Sequence, residues 1–169
     1  NRGQLIADGG RVVMNAQAKD ALLSTVLNND GLVRARSLES RGGEIWLGGG
    51  SSGVVSVTGT LDASGSAAGQ SGGTVKVLGD KVGLFGAASI DASGVGAGGT
   101  VIVWADDTTR AYGSISARGG ADGGDGGFVE TSGKRYLSAD GISVDTRAPQ
   151  GKTGTWLLDP TDITIAHSG

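Results

Sequence analysis

Several residue types are absent or scarce in this sequence, and each shortage excludes a class of protein. The 169 residues include no cysteine, so disulfide scaffolds and thiolate metal sites are excluded. Only two prolines are present, and 4% of the residues are aromatic. No apolar run approaches the roughly 18 residues of a membrane-spanning helix, so we expect no membrane span. The net charge of −3 argues against nucleic acid as the main partner.

Glycine, in contrast, is abundant, with 34 copies. A strict Gly-X-Y period is missing, which excludes collagen. Simple disorder fits poorly, because 37% of the residues are hydrophobic and the net charge is small. The composition therefore indicates an ordered and repetitive chain.

Paired glycines recur at a nearly constant spacing and define a repeat. Successive pairs begin 33, 30, 26, 28 and 27 residues apart. A four-residue segment follows each pair, and its apolar residues have a period of two, which indicates a β-strand. The pairs are Gly9-Gly10, Gly42-Gly43, Gly72-Gly73, Gly98-Gly99 and Gly126-Gly127, with Thr153-Gly154 in the sixth place.

The apolar positions of these segments predict the core. The second and fourth residues after each pair are almost wholly apolar, whereas the first and third mix charged residues with others. Apolar and polar residues alternate along each strand, and the apolar positions are the same in every repeat. The same face of the strand therefore points inward in each coil. The predicted core columns are Val12, Met14, Ile45, Leu47, Val75, Val77, Val101, Val103, Val129, Trp156 and Leu158.

Two more strand-like segments follow in most repeats, for example at 54–57 and 61–65. Three strands and three turns in one repeat describe a coil of a β-solenoid, whose strands pair in parallel with those of the neighbouring coils. The sequence therefore predicts an all-β parallel β-helix of five to six coils, with about 27–30 residues per coil, as a single segment over 1–169. Residues 16–28 are predicted to form an irregular insertion in the first coil. Because the last coil breaks off without a polar cap, we expect the segment to be part of a longer chain.

The glycines and aspartates suit the corners of such coils. Corners need positive φ angles or close backbone approach, which glycine permits. Asp62, Asp91 and Asp145 recur at one position of the repeat and are predicted to form Asx turns with their own backbone.

Two glycine-rich motifs are weak. Residues 94–99 match G-x-G-x-x-G, but a strand-like segment follows where a dinucleotide site needs a helix. Residues 119–127 are one imperfect copy of a calcium-binding repeat, which needs tandem copies to share ions. We interpret this stretch as a flexible surface loop and leave calcium binding open.

An enzymatic site would need converging carboxylates, or a basic residue beside carboxylates, on one exposed face. The outward charged candidates are Glu44, Lys76, Glu130, Asp106, Asp107 and Arg110. We place Glu44, Lys76 and Glu130 in one outward column, with two coils separating Lys76 from Glu130. Scattered charges of this kind are typical of a solvated surface, and the single histidine, His167, lies in the final segment. We therefore expect no enzyme, no catalytic residue, no metal and no cofactor.

Two tryptophans are candidates for a contact site. Strand parity points Trp46 and Trp104 outward, two coils apart, and Trp156 inward. Exposed aromatic rings can stack on sugars or pack against a protein partner. The alternative is that an adjacent loop or a neighbouring subunit covers them.

Several strings resemble haemagglutinin-type exoproteins of the bacterial two-partner secretion pathway, the group of filamentous-haemagglutinin-like adhesins. Together they span nearly the whole chain. They are AQAKDALLSTVLNNDG (16–31), GGTVKVLGDKVGLF (72–85), IDASG (90–94), GSISARGG (113–120), GGDGGFVE (123–130) and LLDPTDI (157–163).

This resemblance implies a right-handed parallel β-helix, exported by an outer-membrane partner transporter. It also implies a secreted protein of the cell surface or extracellular matrix, with a role in adhesion, aggregation or biofilm building. The Asn-Pro-rich motifs of the secretion domain are missing, so the segment looks like shaft material rather than the export signal. The family supplies no catalytic residues.

Two alternatives stay open. The chain could be the repeating subunit of an extracellular filament, joined end to end, which light scattering at increasing concentration would reveal. It could also be a carbohydrate-binding β-helix that contacts a host or matrix glycan through Trp46 and Trp104, which substitution of the two tryptophans would test.

Overall fold

A computed structural model describes residues 1–16, 26–38 and 42–161, and every element in these ranges is a β-strand. No helix long and apolar enough to cross a membrane occurs within them. The strands are β1 (Gln4–Ile6), β2 (Arg11–Asn15), β3 (Val26–Asn29), β4 (Leu32–Arg34), β5 (Glu44–Gly48), β6 (Val54–Val57), β7 (Thr60–Asp62), β8 (Thr74–Leu84), β9 (Ser89–Asp91), β10 (Thr100–Ala111), β11 (Ser114–Ser116), β12 (Phe128–Gly133), β13 (Tyr136–Ser138), β14 (Ser143–Asp145) and β15 (Thr155–Leu158).

The strands stack into three faces of a parallel β-solenoid of about five turns, which confirms the predicted fold class. The first face contains β2, β5, β12, β15 and the first halves of β8 and β10. The second face contains β3, β6, β13 and the second halves of β8 and β10. The third face is a separate six-stranded sheet in the order β1-β4-β7-β9-β11-β14.

The register of the first face follows the glycine pairs. All pairings among the named strands are parallel. Steps of 33, 30, 26, 28 and 27 residues separate the paired positions Arg11, Glu44, Thr74, Thr100, Phe128 and Thr155. The spacing predicted from the sequence is therefore the spacing of the coils.

The predicted inward columns of the first face lie in the core along its middle coils. Ile45, Leu47, Val75, Val77, Val101, Val103 and Val129 are all 0% exposed. Val12 and Met14, in the first coil, are half-buried. Trp156 and Leu158 keep the inward register, pairing with Val129 and Thr131, but each is 39% exposed because no described strand covers them on the far side.

Two of the middle coils differ from the predicted layout of three separate strands. β8 and β10 run without a break from the first face into the second. Between Ala105 and Thr108, β10 has one more residue than β8 has between Gly79 and Lys81. The extra residue forms a β-bulge at Asp106 and Asp107. Because a bulge bends a strand without ending it, β10 can turn from the first face to the second as one strand.

The predicted insertion at 16–28 falls largely outside the described residues, which omit 17–25. At its end, Val26–Asn29 is strand β3 and pairs with β6. The second face of this coil therefore begins at residue 26, and the insertion itself stays a prediction.

The glycine pairs are required by close approach more than by positive φ. The second glycine of a pair donates its N–H to a carbonyl across the coil, as in Gly73 to Ala63 at 2.7 Å and Gly99 to Ala92 at 2.7 Å. A Cβ on Gly73 would overlap the backbone of Gly43 in the coil before it. Among the paired glycines of the described ranges, Gly9 has a positive φ, of 72°.

The glycine-rich connections between coils also stack on one another. Gly96 N–H donates to the carbonyl of Gln70 at 2.8 Å, and Gly120 N–H donates to that of Gly96 at 2.7 Å. Loop 119–127, interpreted above as a flexible surface loop, is thus bonded to the loop of the preceding coil.

Candidate functional site

The two predicted contact residues lie on the outer side of the first face, in neighbouring columns. Trp46 pairs with Lys76 of the next coil, and Lys76 pairs with Ile102 of the coil after it. Trp104 pairs with Leu78, which pairs with Gly48. The two tryptophans are therefore two coils apart along the solenoid and one outward position apart across it.

Both tryptophans line one open groove of about 360 Å³, which we call the tryptophan groove. Its lining residues are Asn15, Trp46, Gly48, Gly50, Leu78, Gly79, Trp104 and Asp106. Glycine at position 48 keeps the groove open, because a Cβ there would meet Asn15 Oδ1 at 2.6 Å. Both tryptophans are partly exposed. On its other side Trp104 borders a second hollow of about 310 Å³, which Lys134, Asp159, Pro160 and Thr161 also line.

Charges of both signs border the tryptophan groove. Lys76 Nζ lies 5.3 Å from the ring centroid of Trp46, a cation–π contact. Asp106 is exposed at the bulge of β10, at the end of the groove occupied by Trp104. Neither the Trp46 nor the Trp104 indole N–H donates to any described residue, whereas the indole of Trp156 donates to Thr131 Oγ1 at 2.9 Å.

The charged residues considered for catalysis do not converge, and the placement of one of them was wrong. Glu44 pairs in register with Thr74, so it lies in the outward column beside the one that holds Lys76 and Glu130. Its carboxylate accepts a hydrogen bond from Arg11 Nε at 2.7 Å. The error arose because Glu44 is the first residue of its strand, whereas Lys76 and Glu130 are the third.

The remaining candidates take part in surface ion pairs or face solvent. Lys81 Nζ lies 2.9 Å from Asp80 and 3.1 Å from Asp107. The hydrogen bond that the Lys81 ammonium donates to Asp80, and secondly the one to Asp107, raise the pKa of Lys81. Arg110 is exposed on the second face beside Phe85 and Lys81, in a hollow of about 280 Å³.

The predicted Asx turns are confirmed along the third face. Ser64 N–H donates to Asp62 Oδ1 at 3.1 Å, and Ser93 N–H donates to Asp91 Oδ1 at 2.8 Å. Arg147 N–H donates to Asp145 Oδ1 at 3.0 Å. These bonds fix the corner that leaves the third face.

Arginines were not predicted there, yet they pair with the same aspartates. Arg36 Nε donates to Asp62 Oδ2 at 2.7 Å. Arg147 donates through two nitrogens to Asp145, and Arg118 lies 3.6 Å from it. The signal was present in the sequence, because Arg147 follows Asp145 by two residues.

Asp145 should remain ionised in acid that neutralises most carboxyls. The hydrogen bond from the Arg147 side chain lowers the pKa of Asp145 to about 2, from an ordinary value of 3.8. Because the folded pKa is depressed, this stabilisation is present above about pH 4 and is lost as the pH falls towards 2. A carbon-detected NMR titration should give a midpoint near 2, and Arg147→Gln should move it up towards 3.8. An unchanged midpoint in Arg147→Gln would contradict the assigned cause.

The aspartates of loop 119–127 serve as hydrogen-bond acceptors for backbone. Asp122 accepts from Gly69 N–H at 2.8 Å, and Asp125 accepts from Lys152 N–H at 2.8 Å. Clusters of three or more candidate metal ligands do not occur in the described part of the chain.

Comparison with known proteins gives a match at the level of structure. No protein-family model and no curated sequence matches the chain. A crystal structure of the HMW1 secretion domain from Haemophilus influenzae matches it with a TM-score of 0.60 and 26% identity. The chain is similar to a bacterial secretion domain. The match covers 93% of this chain and 48% of the HMW1 chain, so this chain spans about half of its neighbour.

Proposed function

We propose that this chain is a structural, non-enzymatic segment of a secreted bacterial exoprotein of the two-partner secretion type. The observation that carries the proposal is the similarity over 93% of the chain to the HMW1 secretion domain. The strings that resemble haemagglutinin-type exoproteins support it independently. Export would use an outer-membrane partner transporter, and the segment would work outside the cell, in adhesion, aggregation or biofilm matrix.

The geometry suits a stiff spacer. Each middle coil is bonded on both sides by parallel strands on all three faces, and its inward residues form continuous apolar columns. Stability in such a stack adds coil by coil, because each coil contacts only its neighbours. With adjacent coils about 4.8 Å apart, length is set by the number of coils.

A spacer should tolerate the loss of one whole coil. Deleting residues 74–99 joins Gly73 to Thr100 and lets Val101 and Val103 replace Val75 and Val77 in the core columns, because these positions already pair in register. We expect the shortened chain to fold, with small-angle scattering showing a rod about 4.8 Å shorter. In cells that also make the transporter, an exoprotein carrying this deletion should be secreted at the level of the unmodified protein if the segment is shaft. Loss of secretion with the fold intact would instead assign the segment to an export domain like that of its structural neighbour.

The matched control removes half of the same coil. Deleting residues 74–86 removes strand β8 and leaves β9 with no strand of its own coil on the other two faces. We expect this variant to lose its cooperative unfolding transition. Tolerance of the half-coil deletion, or unfolding of the whole-coil deletion, would contradict a modular spacer.

A further inference from the structure

We propose that the tryptophan groove binds an extended, uncharged carbohydrate chain. This inference does not depend on the role of the segment as a spacer. Trp46 and Trp104 are two coils apart, roughly 10 Å along the solenoid. They are also one outward position apart across the face, roughly 7 Å, so the direct separation is about 12 Å. That distance matches two to three sugar units of an extended glycan, so one chain lying obliquely across the strands can place a ring against each indole. Aromatic faces stack on the apolar faces of pyranose rings while their edges remain polar.

The backbone of the groove admits such a ligand. Gly48 and Gly79 contribute lining without side chains, and Leu78 lies between the two tryptophan positions. The volume of about 360 Å³ is within the range of small-molecule sites, roughly 300–1,000 Å³. The groove therefore has room for a few sugar rings.

The polar groups of the groove favour a neutral ligand rich in hydroxyls. The Asn15 side chain and the Asp106 carboxylate border it, and both indole N–H groups are unbonded among the described residues. Lys76 lies beside Trp46. Two cations, Lys76 and Lys134, and two carboxylates, Asp106 and Asp159, lie beside the two tryptophans and balance in charge. They favour neither a polyanion nor a polycation, whereas sugar hydroxyls can donate to the carboxylates and accept from the ammonium groups.

The test measures binding of neutral oligosaccharides to the 169-residue chain by titration calorimetry. The probes are linear gluco-, galacto- and manno-oligosaccharides of two, four and six units. We expect at least one series to bind, with four units binding more tightly than two because only the longer ligand reaches both tryptophans. Trp46→Ala and Trp104→Ala should each weaken binding about tenfold and remove the advantage of length.

Tyr136→Ala is the matched control, because Tyr136 is an aromatic residue of the second face that is 53% exposed and outside the groove. It should bind like the unmodified chain. Leu78→Lys should also prevent binding, because it places a long charged side chain in the groove between the two tryptophans. This variant replaces a tryptophan variant in the test if that variant does not unfold cooperatively. Three results would overturn the proposal: no binding to any probe, equal binding by all variants, or binding only to sulfated or uronate oligosaccharides added for comparison.

Discussion

Replacing Val103 by aspartate should unfold the solenoid or come close to doing so. Val103 is 0% exposed, in strand β10, with Val77 and Thr131 as its partners in the coils on either side. A carboxylate there loses its water and gains no cation, so the free energy of unfolding should fall by about 4 kcal/mol or more. That loss is a large part of the roughly 5–15 kcal/mol that a typical domain has. Urea denaturation followed by circular dichroism measures it.

The control is the adjacent residue of the same strand. Ile102 points outward and is half-buried, between Lys76 and Glu130 in its column. Ile102→Asp should therefore change the free energy of unfolding by no more than about 1 kcal/mol. Similar losses for the two aspartate variants would show that the strand does not alternate inward and outward as described.

Export offers a second measurement of the same pair. If coiling outside the cell helps to draw the chain through its transporter, secretion should fall for Val103→Asp and stay unchanged for Ile102→Asp. Equal secretion of both variants would show that export does not depend on folding outside the cell. It would not contradict the expected loss of stability in Val103→Asp.

The periodicity of the sequence predicted the core because one interaction repeats at every coil. Val75, Val101 and Val129 stack at one position of successive coils, so a common spacing in the sequence becomes a common position in space. Parallel pairing converts the interval between glycine pairs directly into register. Strand parity likewise predicted that Trp46 and Trp104 point outward, and the register places them there.

The β-bulge of β10 and the tryptophan groove could not be predicted from the sequence, because both depend on how coils of unequal length align. The extra residue at Asp106 and Asp107 is visible only once β10 is aligned with β8, and it brings Asp106 to the tryptophan groove. The groove itself needs Trp46 and Trp104 in neighbouring columns, with Gly48 at the position that Trp104 occupies two coils later. The misplaced column of Glu44 has a different origin, because an offset of two along the strand changes the column without changing the face and could be read from the sequence.

Replacing Gly43 by alanine should be among the most damaging single changes available outside the core columns. A Cβ on Gly43 would overlap the carbonyl of Ala35, and the atoms around it are backbone and therefore cannot rotate away. The carbonyl of Gly43 also accepts a hydrogen bond from Thr74 N–H at 2.9 Å, so a shift of Gly43 would disturb the next coil as well. We expect the free energy of unfolding to fall by about 3 kcal/mol or more, measured by urea denaturation.

Gly42, the first glycine of the same pair, is the control. It tests whether alanine destabilises through steric overlap with backbone or through the loss of the conformational freedom of glycine. Gly42 is exposed, and a Cβ on it would meet nothing nearer than Gly73 Cα at 3.7 Å. Gly42→Ala should be neutral or should stabilise by up to about 1 kcal/mol, because alanine restricts the unfolded chain. If the two alanine variants were equally stable, the glycine pairs would owe their recurrence to something other than the crowding between coils. If Gly43→Ala alone unfolds, close approach of backbone is what requires the second glycine of this pair. In later pairs, such as Gly72-Gly73, a Cβ on either glycine would overlap backbone, so there we expect both alanine variants to be destabilised.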